Sequence, residues 1–227
     1  MTPDALRTRL QQLTGWGPRP AAAVSRKDAA PEAGHPVETL VLQGPRGPMP
    51  ATLIRPEIAG PLPAVLYCHA HGGDYRLGRR EMLEGSRFLH TPGYGIALAN
   101  AGFAALCVDM TGFGDRRDEG DENDMAKALF WRGESLFGHM LNDLGAAFGY
   151  LAARPDVDAA RIFTLGLSMG AAHAYWLAAL EPRVAGCAHL CMLADIGPMI
   201  DAGAHARHGF YLSVPGLLPL AETGDIA

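Results

Sequence analysis

Apolar positions follow two periods along this chain. Leu6, Leu10 and Leu13 recur at helical spacing behind Thr2-Pro3, a capping residue followed by a proline suited to a first helical turn. An N-terminal helix is expected there. The next stretch, residues 17–31, is rich in Pro and Ala and reads as a linker. Residues 37–43 and 50–55 flank Gly44-Pro45-Arg46-Gly47-Pro48 and read as two strands joined by a turn. Residues 63–68, 103–108, 161–165 and 184–192 are short, nearly continuous apolar runs, the pattern of strands buried on both faces of a parallel sheet. Helical periodicity fills the gaps. Leu136, Met140, Leu144, Ala147 and Leu151 place an amphipathic helix over 134–153, closed by Arg154-Pro155, while Trp176, Leu177 and Leu180 carry another to about Glu181-Pro182. The alternation implies the α/β class, a mostly parallel sheet flanked by helices. Residues 1–35 are expected to be a helix and linker, and residues 36–227 one α/β domain without internal repeats.

Composition narrows the partners. With 48% hydrophobic and 19% charged residues in 227, the chain can bury a real core. Nineteen Lys+Arg against 24 Asp+Glu give a formal charge of -5, the wrong sign for neutralising phosphates, so nucleic acid is not an expected partner. The apolar stretches 96–110 and 184–194 are interrupted by Asn100, Asp109 and His189 and fall short of the roughly 18 residues a membrane helix needs. The N-terminus carries Asp4 and Arg7 and no apolar leader core, so a cytoplasmic protein without membrane contact is expected. Cys68, Cys107, Cys187 and Cys191 all lie in runs that read as buried strands, which suits reduced core thiols.

The chemistry centres on one motif. The strand over 161–165 runs into Gly166-Leu167-Ser168-Met169-Gly170 and then into a helix, the strand-turn-helix context that makes G-x-S-x-G a nucleophile elbow. The turn is so tight that side chains at Gly166 and Gly170 are expected to clash, while Ser168 projects from the carboxyl edge of the sheet. Free N–H groups at the start of the helix, Met169 first, suit an oxyanion formed when Ser168 attacks a carbonyl. A second donor is expected in the loop after the 63–68 strand, His69-Ala70-His71-Gly72-Gly73, from Gly72 or Gly73.

With these pieces the chain resembles the α/β-hydrolase fold, and within it the dienelactone-hydrolase-like and acetylxylan-esterase-like serine esterases. The resemblance rests on residues 67–73, on Asp109-Met110-Thr111-Gly112-Phe113-Gly114, on Arg154-Pro155-Asp156-Val157-Asp158 and on the elbow, and covers most of the chain. It implies a serine nucleophile followed in chain order by an acid and a histidine, no metal or other cofactor, and small-molecule esters or lactones as substrates.

The family's acid and histidine come late, yet only residues 169–227 follow Ser168, and each further strand-helix-strand unit takes roughly 30 residues. The chain is therefore expected to lack the C-terminal part of the fold. Otherwise a short variant completes its triad internally, with Asp195 or Asp201 and with His205 or His208. In the first case the 184–192 strand becomes an open edge, a template for homodimerisation. The rival to a serine esterase is a non-catalytic binding or interaction protein with an incomplete triad.

Other candidates have plainer readings. His69, His71 and Asp74 lack the spacing of a known zinc set, and both histidines suit hydrogen bonding around the loop. His173 and His189 read as core or flanking residues. Arg76, Arg79 and Arg80 suggest either a clamp for a substrate carboxylate or surface charge. The acidic run 115–124 reads as a solvated loop over the site. Phe130, Trp131, Phe137 and Trp176 read as core or pocket wall.

Overall fold

The computed structural model describes residues 1–18 and 20–221; residues 222–227, at the end of the stretch where no further strand is expected, lie outside the described residues. Seven strands run through the chain: β1 (Ala22–Glu32), β2 (His35–Gly44), β3 (Gly47–Ile54), β4 (Leu62–Cys68), β5 (Ala104–Val108), β6 (Val157–Leu167) and β7 (Gly186–Leu190). They form one sheet in the order β1-β2-β3-β5-β4-β6-β7. The pairs from β1 to β5 are antiparallel, and β5-β4-β6-β7 are parallel. The helices are α1 (Pro3–Thr14), α2 (Glu81–Glu84), α3 (Tyr94–Asn100), α4 (Glu122–Phe130), α5 (Leu136–Ala152), α6 (Met169–Leu180), α7 (Ile196–Asp201) and α8 (Leu218–Ala221). No described helix is long and apolar enough to cross a membrane.

Local sequence explains most boundaries. Thr2 caps α1, its hydroxyl accepting the Ala5 N–H at 3.3 Å, and Gly15 ends the helix in the left-handed conformation. Ser135 caps α5 by accepting the Gly138 N–H at 3.0 Å. The central strands are apolar on both sides because both are covered. Leu53, Leu66 and Leu106 point into a core with α1, α5 and α6, while Ile54, Tyr67 and Cys107 face Met82 and Ala99 from α2 and α3. Each fully buried Leu there contributes about 1.5–3 kcal/mol.

One edge departs from the sequence expectations, and the other takes one of the two alternatives they left. The stretch read as a linker carries β1, paired with β2 from Ala22↔Gln43 to Glu32↔His35. Every residue of β1 is exposed, so it has no hydrophobic period to read; backbone pairing with β2 and an ion pair from Arg26 to the buried Glu38 at 2.7 Å hold it. At the other end β7 pairs with β6 alone among the described strands, and Cys187, Ala188 and His189 are exposed. The 184–192 run is therefore an open edge among the described strands, as expected where the chain lacks the later strands, and not a strand covered on both faces. Cys68 and Cys107 are buried as expected, but Cys187 and Cys191 are exposed.

Candidate active site

β6 ends at Leu167 and α6 begins at Met169, so one residue turns the chain from strand to helix. That residue is Ser168, at φ 54° and ψ −118°. A non-glycine residue pays about 1–3 kcal/mol for such a conformation, and it persists only where the surroundings dictate it. Here they do. A Cβ on Gly166 would meet the Gly170 carbonyl, and one on Gly170 would meet the Cys68 carbonyl at the end of β4. The Ser168 N–H donates to Leu190 O at 2.9 Å and its carbonyl accepts the Ala172 N–H at 3.1 Å, pinning the turn to β7 and α6. Met169 is wholly buried, with its N–H in the first turn of the 12-residue α6. No described side chain hydrogen-bonds the Ser168 hydroxyl.

One turn along α6, His173 is fully buried against Phe137, ring centroids 4.6 Å apart, and its Nδ1–H donates to Met169 O at 2.8 Å. Burial drives its pKa down to about 4, so the ring is neutral. It is the core residue that the sequence suggests.

The loop facing the elbow follows β4 and is held by polar side chains from elsewhere. His69 is wholly buried: its Nε2 accepts the Met110 N–H at 3.1 Å and its Nδ1–H donates to Ala70 O at 3.0 Å. Burial lowers its pKa. The Ala70 N–H donates to Glu81 Oε1 at 2.8 Å, which also accepts the Tyr67 hydroxyl at 2.8 Å. Gly72 and Gly73 follow at φ 59° and 72°, a turn that β-carbons would strain. The Gly73 N–H donates to His71 Nδ1 at 3.1 Å, whereas the Gly72 N–H has no described acceptor. Both histidines thus serve the loop by hydrogen bonding, and the Asp74 carboxylate accepts the Arg76 N–H at 2.9 Å.

Two further expectations give way. Arg79 is no free clamp for a substrate: its guanidinium pairs with the buried Asp109 and, at 2.8 Å, with Asp115. Asp109 also accepts the backbone N–H groups of Arg79 and Asp115 at 2.7 and 3.0 Å, fastening two loops together. The acidic run is not a solvated loop throughout. Arg116 within it is buried against Asp143 at 2.8 Å, and Glu122, buried at the start of α4, accepts the Tyr75 hydroxyl at 2.7 Å. Sequence alone gave no sign of these partners, which lie tens of residues apart.

A cavity of about 480 Å³ lies between α5, α6 and the segment 192–219. Phe130, Phe137 and Trp176 help to wall it, as expected, whereas Trp131 is 92% exposed. His205 and His208, the bases offered for an internal triad, border this cavity and are exposed; neither is hydrogen-bonded to Ser168. Asp195 precedes α7 and Asp201 ends it.

The comparisons agree with this architecture. YtaP of Bacillus subtilis (strain 168), a hydrolase by name, is 40% identical over 192 residues, covering 84% of this chain and 64% of its own length. A structure from Bacteroides fragilis NCTC 9343, described as an acetyl xylan esterase, superposes with a TM-score of 0.76 at 16% identity, over 95% of this chain and 61% of that one. Acetyl xylan esterase 1 from Thermoanaerobacterium sp. JW/SL YS485 gives 0.58 at 21% identity, over 89% and 62%. At these identities the structures speak for the α/β-hydrolase fold. The chain spans less than two thirds of each of these relatives. Residues 49–190, from β3 through the elbow to the end of β7, match the Dienelactone hydrolase family, and the chain belongs to that family.

Proposed function

We propose that the protein is a serine hydrolase acting on carboxylic esters, of short acyl chains or lactones, through an acyl-enzyme on Ser168. The observation that carries this reading is the strained Ser168 at φ 54° between β6 and α6, facing a loop that keeps the Gly72 N–H free. Strain maintained by Gly166 and Gly170 at a serine whose hydroxyl has no described hydrogen-bond partner supports the reading of a positioned nucleophile.

In the mechanism, Ser168 Oγ forms a bond to the ester carbonyl carbon and gives its proton to a base. The carbonyl oxygen takes the negative charge, and the N–H groups of Met169 and Gly72 stabilise it. Each such donor is typically worth about 10²–10³ in rate. Collapse breaks the bond to the alcohol, which leaves with the proton. Water then attacks the acyl-enzyme by the same route and releases the acid and Ser168. The base must be a group that reaches Ser168 Oγ during turnover: a histidine supplied from outside these 227 residues or, if the triad is internal, His205 or His208. The binding-protein reading draws on one observation, the absence of a described partner for the Ser168 hydroxyl.

Hydrolysis of p-nitrophenyl acetate separates the two. The serine-hydrolase reading expects turnover that the Ser168→Ala variant loses by at least about 10³-fold. Equal rates for the two proteins contradict it and leave the binding reading standing.

A further inference from the structure

Glu122 is the acidic side chain that neither the fold nor the proposed reaction accounts for. It starts α4, 47 positions beyond Tyr75, and is buried beside the candidate oxyanion loop. Its Oε2 accepts the Tyr75 hydroxyl at 2.7 Å and lies 3.5 Å from His71 Nε2, while its Oε1 lies against the Gly209 backbone. Burial raises the carboxyl pKa, but the neighbouring His71 ring and the hydrogen bond from Tyr75 outweigh it and hold the group below its usual range. It is therefore an anion in a largely dry place.

The order of donors and acceptors follows from that anion. The Tyr75 O–H points to Glu122. Its oxygen is then free to accept from His71 Nε2 at 3.1 Å, which puts the imidazole proton on Nε2. Nδ1 is left as a lone pair, and it accepts the Gly73 N–H at 3.1 Å. The His71 ring is also wedged by aromatic neighbours, 5.2 Å from Phe113 and 5.3 Å from Tyr211. One acceptor oxygen thus orients the Tyr75 hydroxyl and with it the tautomer of His71, whose Nδ1 takes the Gly73 N–H.

We propose that Glu122 is a positioning residue of the oxyanion loop, acting through Tyr75 and His71 to engage the Gly73 N–H and hold the Gly72 N–H free for the developing charge. This rests on the reading of Ser168 as nucleophile for its catalytic consequence, but not for its structural one. The acidic segment after β5 is then part of the catalytic machinery and more than a cover over it.

The test uses the full chain labelled with ¹⁵N-glycine and four variants: His71→Phe, Tyr75→Phe, Glu122→Ala and Glu122→Gln. The first readout is amide hydrogen exchange at Gly73, with Gly166 and Gly170 as internal controls for an intact elbow. Expected is exchange at least about tenfold faster at Gly73 in His71→Phe and Glu122→Ala, with Gly166 and Gly170 unchanged. Glu122→Gln, whose amide oxygen still accepts from Tyr75, is expected to retain most of the protection. The second readout is the rate at which a fluorophosphonate modifies Ser168, expected to fall about tenfold to a hundredfold in step with the Gly73 exchange. Unchanged Gly73 exchange in Glu122→Ala, with the controls intact, overturns the proposal. Faster labelling of His71→Phe overturns it too, because Gly73 would then be the donor that His71 withholds. If the unaltered chain is not labelled at Ser168, the nucleophile reading fails, and Gly73 exchange alone decides the role of Glu122 in the loop.

Discussion

The elbow and the loop that faces it are built on opposite principles. Gly166 through Gly170 is contiguous in sequence, and its shape is forced by sterics that any reader of the five residues can work out: a Cβ at either glycine meets backbone. Residues 69–75 are contiguous too, but side chains and backbone from three other places fix their shape: Glu81, Met110 and Glu122, 11, 41 and 47 positions from their partners. A strained residue supported by local sterics is hard to loosen and easy to recognise. A loop supported by distant hydrogen bonds is tunable, and its support is invisible until the chain is folded.

The difference predicts how each half fails. Gly170→Val places a branched side chain on the Cys68 carbonyl and is expected to cost about 3 kcal/mol or more in urea unfolding, with no rescue available from the loop. Behind the elbow, His173 is neutral with a pKa of about 4 against the ordinary 6.5. The unfolded chain therefore binds a proton that the folded chain refuses, and stability is expected to fall by about 3 kcal/mol as pH drops from 6.5 to 4. His69, lowered by burial on the loop side, acts in the same sense. His173→Gln, which keeps a donor and cannot titrate, is expected to flatten that part of the pH–stability curve. On the loop side Glu81→Ala leaves the Ala70 N–H and the Tyr67 hydroxyl without an acceptor, an expected loss of about 2 kcal/mol that Glu81→Gln largely avoids. The smallest effect has the opposite sign: Ser168→Gly removes the strain at φ 54° and is expected to stabilise the chain by about 1 kcal/mol, seen as a higher Tm.

Legibility of the whole fold follows the same division. α1, α5, β4, β5 and β6 were readable because capping residues and burial on covered faces leave a period in the sequence. β1 was not, since Ser25, Arg26, Lys27 and Asp28 are exposed whichever face they occupy. β7 was readable as a strand, but its apolar run alone does not say what covers it; the expectation of an open edge came from how few residues follow Ser168. At the site, Ser168, Gly166 and Gly170 carried their own signal. The engagement of Gly73 by His71, the pairing of Arg79 with Asp109 and the burial of Glu122 are properties of pairs, and single-residue chemistry could not reveal them.

The proposed function stands or falls on Ser168 as the nucleophile. Its most direct test is the intact mass of the full chain after exposure to a fluorophosphonate, followed by peptide mapping, beside the Ser168→Ala variant. One phosphonyl adduct per chain, mapped to Ser168 and absent from the variant, is the predicted result. A chain that stays unmodified while the variant has the same fold contradicts the account.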